Sequence, residues 1–193
     1  MQSKRDSTAM LKCSINQIEG IDWGKPLINT VTASEIHQAR SVPIADLNPI
    51  QLYTLLLHDL GVRQILPIGI SLLRHRPYLE AKFYPGDLLK VILLTKEPYW
   101  SADFVDDMKS ILVMARKDIP EDLVESVISV MQTWEGPPSG SSLAPAEQWE
   151  RWRLFCAGFN RDRNPGHVGR STAKGKKKPI KQSQVVRKNN RGR

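Results

Sequence analysis

Histidine and cysteine are scarce in this chain, and scattered. His37, His58, His75 and His167 are far apart, and Cys13 and Cys156 lie in regions of different character. No Cys-x-x-Cys or His-Glu-x-x-His spacing occurs, so the usual zinc ligand sets are excluded and no metal site is expected. Two distant thiols make no disulfide framework and read as reduced cysteines. Phosphate-cradling loops are missing too: the glycines at Gly136 and Gly140 are followed by no Lys-Ser/Thr pair and preceded by no strand. Ser71 follows Gly69-Ile70 but has no second glycine two residues on, so no nucleophile elbow is present. Long apolar runs are absent. Residues 65–73, broken by Pro67 and Gly69, and residues 91–94 are far too short to span a bilayer. The opening MQSKRDSTAMLK lacks the apolar stretch of a secretory leader. These absences lead to the expectation of a cytoplasmic protein that is not an enzyme, with no cofactor and no membrane partner.

What is abundant is charge, unevenly placed. Residues 1–135 hold 14 Lys/Arg against 17 Asp/Glu, a balance of −3, whereas residues 136–193 hold 14 against 3, a balance of +11. The pI near 9.6 is therefore the property of a tail. From residue 160 onward, 12 Lys/Arg and one acid fill 34 positions with few large apolar side chains. Such a segment buries too little apolar surface to offset its ordering entropy. The division that follows is a helical domain at 13–135, a Gly/Pro/Ser linker at 136–145, a short helix at 146–159 carrying Trp149 and Trp152, and a disordered basic tail at 160–193.

Within the first part the patterning is helical, and no hairpin signal supports a strand pair. Ser14 caps a turn over 14–19 that Gly20 ends. A second helix is expected over 33–39. Asn48 and Pro49 open a third that reaches Gly61, with Leu52, Leu55, Leu56 and Leu60 facing inward. A fourth covers 64–76, with Ile65, Ile68, Leu72 and Leu73 as its inward candidates and Pro67 tolerated only in its first turn. Residues 83–89 form a turn leading into a short apolar helix. Ser101 caps the next, whose inward positions are Phe104, Val105, Met108, Ile111 and Leu112. Asp118 and Pro120 announce the last, with Leu123, Val127, Val130, Met131 and Trp134 along one seam. The fold class is all-α: a compact bundle of six to seven short helices followed by a flexible linker and a disordered basic tail.

Charged surfaces offer the candidate contacts. Asp103, Asp106 and Asp107 sit in the first turns of their helix, where they complement its dipole. The same acids, with Glu80, suit a basic partner, because acidic patches steer cationic proteins. Catalysis by the three aspartates is the weaker reading. Lys176, Lys177 and Lys178 with the neighbouring arginines would neutralise phosphates without reading sequence, so nucleic-acid binding through the tail is the alternative function.

Two stretches carry a resemblance. Ile18-Glu19-Gly20-Ile21-Asp22-Trp23-Gly24 and Phe83-Tyr84-Pro85-Gly86-Asp87-Leu88-Leu89 look like the two signature segments of a helical family of contact-dependent growth inhibition (CDI) immunity proteins. The intervening Leu60-Gly61-Val62-Arg63-Gln64-Ile65-Leu66-Pro67-Ile68-Gly69-Ile70 is similar to that family's middle helices, and Trp100 matches the tryptophan after its short apolar helix. The resemblance spans residues 14–134. It implies an all-α protein that binds the C-terminal toxin domain of a large exported protein, often a nuclease, and blocks it. Of the motif residues, Trp23, Gly24, Phe83, Tyr84, Pro85, Gly86, Asp87 and Trp100 are expected to form the fold, with Trp23 as a core plug and residues 84–87 as a turn. Glu80, Asp103, Asp106 and Asp107 are the expected partner contacts.

Overall fold

The structure, a computed structural model, describes residues 9–162; its regular elements are helices joined by loops, with one isolated antiparallel bridge between Ser14 and Pro43. After a helical turn at residues 9–11 come α1 (Ile15–Glu19), α2 (Val31–Ser41), α3 (Pro49–Leu57), α4 (Val62–His75), α5 (Asp87–Leu93), α6 (Ala102–Ala115), α7 (Glu125–Thr133) and α8 (Pro145–Asp162). Short 3₁₀ turns stand at Ile44–Asp46 and Glu97–Tyr99. The expected disordered tail at 160–193 lies outside the described residues except for its first three positions, which continue α8.

Starts of helices follow side-chain chemistry closely. The Ser14 hydroxyl accepts from the Gln17 N–H, and the Gln17 amide oxygen accepts from the Ser14 N–H at 2.8 Å, closing a capping box. Asn48 and Gln51 repeat it at α3, with Pro49 at the first helical position. Ser101 caps α6 through the Phe104 N–H. Thr30, through the Ala33 N–H, starts α2 two residues before the expected position.

Helix ends depart from expectation. α3 stops at Leu57, four residues short of Gly61, because Asp59 takes the left-handed conformation (φ 61°) and the Leu60 N–H returns to the Leu55 carbonyl at 2.9 Å. This is a six-to-one C-cap built on aspartate in place of glycine. Gly61 instead precedes α4, also at φ 60°. Its α-carbon lies so close to Ile15 that an added Cβ would sit 2.5 Å from Ile15 Cδ1. Gly61→Ala therefore meets both left-handed strain and overpacking. A loss of about 2–3 kcal/mol is expected, read as a lower urea midpoint at unchanged m-value.

α4 begins two residues before the expected start, so Pro67 is its sixth residue and lies inside the helix, not in its first turn. Its buried face is also rotated. Val62, Ile65, Leu66, Gly69, Ile70 and Leu73 point inward, while Ile68 and Leu72 are only half-buried. Gly69 sets this face: a Cβ there would come 2.7 Å from Ile92 Cδ1, so α4 and α5 meet backbone to side chain. In α6, Met108, Ile111, Leu112 and Ala115 are buried, and Phe104 and Val105 are half-exposed. α7 begins at Glu125, beyond Asp118 and Pro120, and buries Val127 and Met131. Leu52, Leu55, Leu88, Leu89 and Ile92 fill the centre of the bundle.

The chain past residue 135 returns to the body. The Pro138 carbonyl accepts from the Glu97 N–H at 2.9 Å. The Glu147 carboxylate then accepts from the Ala144 N–H at the start of α8. α8 buries Gln148, Trp152 and Cys156.

Candidate partner-binding surface

Residues of both signature segments make internal contacts. After Gly20 closes α1 at φ 66°, the Asp22 carboxylate accepts from the Gly24 N–H at 2.9 Å, with Gly24 at φ 60°. This tight loop buries Trp23. α2 supplies Arg40, fully buried, whose guanidinium lies 3.9 Å from the centre of the Trp23 ring. The same guanidinium pairs with Glu19 and donates to Asn16 Oδ1 at 3.0 Å. Desolvation holds the Arg40 pKa below its ordinary value, and the hydrogen bond and charge of Glu19 oppose that fall. Glu19 and Trp23 thus serve one buried cation, which no spacing in the sequence announces.

In the second segment the Asp87 carboxylate, 1 % exposed, accepts three backbone N–H groups: Ala81 at 2.7 Å, Lys82 at 2.8 Å and Phe83 at 2.8 Å. Gly86 at φ 79° lets the chain turn against Val127 and Leu123, and Asp87 becomes the first-turn acid of α5. Tyr84 and Pro85 are half-buried in this turn. Phe83 differs: it is 62 % exposed, with its ring against the edge of Tyr53 at 5.7 Å. Trp100 donates to the Thr95 carbonyl at 2.9 Å and packs on Trp134.

Of the acids singled out for partner contact, Asp103 and Asp106 are exposed on the first two turns of α6. Asp107 shares their face by helical spacing but is half-buried and ion-paired with Arg74 of α4. Glu80 is exposed on the loop between α4 and α5, with no hydrogen bond or ion pair to α6 among the described residues. A second acidic stretch went unread in the sequence. Asp118, Glu121, Asp122 and Glu125, between α6 and α7, are all exposed, and none is ion-paired among the described residues. Its signal was available: seven acids and no Lys or Arg occur from residue 118 to residue 150.

The cavities add no catalytic constellation. A groove of ≈ 550 Å³ over the outer face of α4 is lined mainly by Leu11, Pro67, Ile68, Leu72 and Phe104. A smaller hollow of ≈ 260 Å³ lies between the end of α3 and α8, beside His58 and Trp152. Among the described residues no group of His, Cys, Asp or Glu is placed to hold a metal ion, and no helix is long and apolar enough to cross a membrane.

Among the described residues, Asp87 and Arg40 are engaged inside the body, and the unpaired acids of α6 and of the loop after it lie outside. Residues 17–110 match the family of CDI immunity proteins. No curated protein and no solved structure matches it. The family is one of immunity proteins that counter a toxin. The match ends within α6, but the core continues through Val127 and Met131 of α7 to Trp152 of α8.

Proposed function

We propose that this protein binds the C-terminal toxin domain of a CDI system and inhibits it stoichiometrically, by covering the surface on which the toxin holds its substrate. The match of residues 17–110 to CDI immunity proteins carries this reading. The toxin it best suits is a nuclease, because a nuclease needs a positive surface to hold phosphates. Unpaired carboxylates at Asp103 and Asp106, with those at Asp118, Glu121, Asp122 and Glu125, give the body matching charge. The purified chain, mixed with the toxin domain encoded beside it, is expected to form a 1:1 complex and to abolish toxin activity at equimolar ratio. Residual activity at a severalfold excess overturns the proposal.

The acids of α6 give a kinetic prediction. Reversing Asp103 and Asp106 together to lysine leaves the fold intact, since both side chains are exposed, but opposes the encounter. Association at low salt is expected to slow about tenfold or more, with most of the difference vanishing at high salt. Stopped-flow mixing across a salt series checks this. An unchanged association rate removes α6 from the contact surface and leaves the loop at 118–125 as the acidic face to test.

A further inference from the structure

The hollow between the end of α3 and α8 has a buried polar atom with nothing to bind. Gln148 of α8 is 6 % exposed and forms part of the wall. Its Nε2 donates to the Leu143 carbonyl at 3.0 Å, which fixes the amide, because turning it over would set two oxygens against each other. The Oε1 is then left buried without a hydrogen-bond partner among the described residues. A buried acceptor in that state has given up water and gained nothing, and a donor brought into the hollow restores the bond.

The rest of the wall states what kind of donor fits. Leu57, Leu143, Trp152 and Phe155 make it largely apolar, and the Trp152 and Phe155 rings are stacked at 5.5 Å and 22°. A flat ring that carries an O–H or N–H meets both demands, as the side chains of tyrosine and tryptophan do. This chain does not supply one. Its four tyrosines and five tryptophans all lie within the described residues, and each is buried or half-buried. A second copy therefore has no exposed ring of this kind to offer, and residues 1–8 and 163–193 contain neither residue type.

A free small molecule is the poorer match. At ≈ 260 Å³ the hollow falls below the about 300 Å³ at which small-molecule pockets begin. Apolar surface also continues past its rim. Leu57 is exposed; one turn back along α3 lies Tyr53, against whose ring stands the exposed Phe83, and one turn further back Ile50 is exposed too. Lys82 Nζ, 5.6 Å from the Phe83 ring, holds that ring from a second direction. A held aromatic ring left in water among exposed aliphatic side chains marks a surface that another protein covers.

We propose that this surface is an anchor site for the toxin domain: a tyrosine or tryptophan of the toxin enters the hollow and donates to Gln148 Oε1, while the stripe from Leu57 to Phe83 is covered around it. The inference rests on the toxin-binding reading and adds to it the contact that sets the lifetime of the complex, where the acids of α6 set the rate of encounter.

The full chain tests the hollow without any toxin. p-Cresol, the tyrosine side chain as a free molecule, is expected to shift the NMR signals of the Gln148 amide and the Trp152 indole N–H saturably. 4-Methylanisole, the same ring with its O–H blocked, is expected to bind at least about tenfold more weakly. Gln148→Met keeps the bulk and removes the acceptor, so the two probes should bind it alike. Leu57→Ser, at the exposed rim, should weaken both. Signals that do not move, or equal binding of the two probes by the native chain, overturn the site.

The toxin domain encoded beside this chain identifies the occupant. Leu57→Ser and Phe83→Ala, both at exposed side chains, are each expected to raise the dissociation rate of the complex at least about tenfold and to change the association rate less than about twofold. An unchanged dissociation rate in both variants overturns the anchor and leaves the toxin-binding reading standing. If the native chain forms no complex yet still prefers p-cresol, the toxin-binding reading has failed, and the hollow belongs to a free aromatic molecule, which overturns the occupant proposed here.

Discussion

Arg40→Ala is expected to lower the folding stability by about 3–5 kcal/mol, the range for removing one partner of a buried ion pair. The pair itself is not the source of that loss. Arg40 and Glu19 are both almost fully buried, with side-chain exposures of 0 % and 3 %, and bringing both charges out of water is costly. The loss comes from what alanine leaves behind. The Glu19 carboxylate stays buried with no cation, Asn16 loses its donor, and the Trp23 ring loses the guanidinium that covers its face. The Arg40 Nη1 already has no hydrogen-bond partner, so the guanidinium is not fully rewarded in the native state. That predicts an asymmetry. The double change Glu19→Gln with Arg40→Met, which removes both charges and keeps the volume, should recover most of the loss. For a domain of ordinary stability, 5–15 kcal/mol, the single change is a large fraction of the total. Urea unfolding monitored by tryptophan emission measures it. A single-mutant loss below about 1 kcal/mol, or a double mutant as damaged as Arg40→Ala, shows that the clamp does not hold the loop as described.

What the sequence made legible follows the range of the interactions. Caps act over three or four residues, so Ser14, Asn48 and Ser101 were readable, and the structure places each where expected, adding Gln17 and Gln51 as reciprocal partners. The apolar spacing identified α3, α4, α6 and α7. It located their inward faces less well, because a face is chosen by the neighbour. Gly69 against Ile92 turned α4 away from Ile68 and Leu72, and nothing local to α4 contains that information. The end of α3 failed for a similar reason. Gly61 is the usual residue for a left-handed stop, yet Asp59 takes that role and Gly61 is reserved for its close approach to Ile15.

The polar interior was the least legible part. Nothing in the sequence marks Arg40 and His37 as internal; contacts with α1, the Trp23 loop and α8 make them so. The same contacts change how the basic tail is to be tested. A cut after residue 135 was the natural place to separate tail from body on composition. In the structure such a cut strips Trp152 and Cys156 from the core and uncovers Trp23 and His37, so a loss of protection after it would report damage to the body. A cut after Asp162 removes 11 Lys/Arg and no acid while keeping α8 through its last described residue. Only there do the two readings separate. Toxin inhibition by the body survives the cut, whereas nucleic-acid binding through the tail does not.

Asp87 gives the other large effect, and it explains why the most specific stretch of the sequence reads Phe83-Tyr84-Pro85-Gly86-Asp87. One carboxylate organises the approach to α5 by receiving three consecutive backbone N–H groups, Ala81 on Oδ1 and Lys82 and Phe83 on Oδ2. Asp87→Ala removes all three acceptors at once. Hydrogen bonds to a charged group are worth about 1.5–3 kcal/mol each, but Lys82 and Phe83 are near enough to the surface for water to take over part of the role. The Ala81 N–H is buried and has no such relief. A total loss of about 3–5 kcal/mol is therefore expected, below the simple sum. Asp87→Asn is the sharper variant. Its remaining oxygen can keep either Ala81 or the Lys82–Phe83 pair, while its amide turns a donor toward the group it deserts. Asn should therefore expose either the Ala81 N–H alone or those of Lys82 and Phe83 together, leave the rest protected, and cost less than Ala. Hydrogen exchange at residues 81–83 distinguishes the cases. If Ala and Asn are equally mild and all three amides keep their protection, the carboxylate is not what shapes this turn, and the exposed ring of Phe83 is held by its contacts with Tyr53 and Lys82.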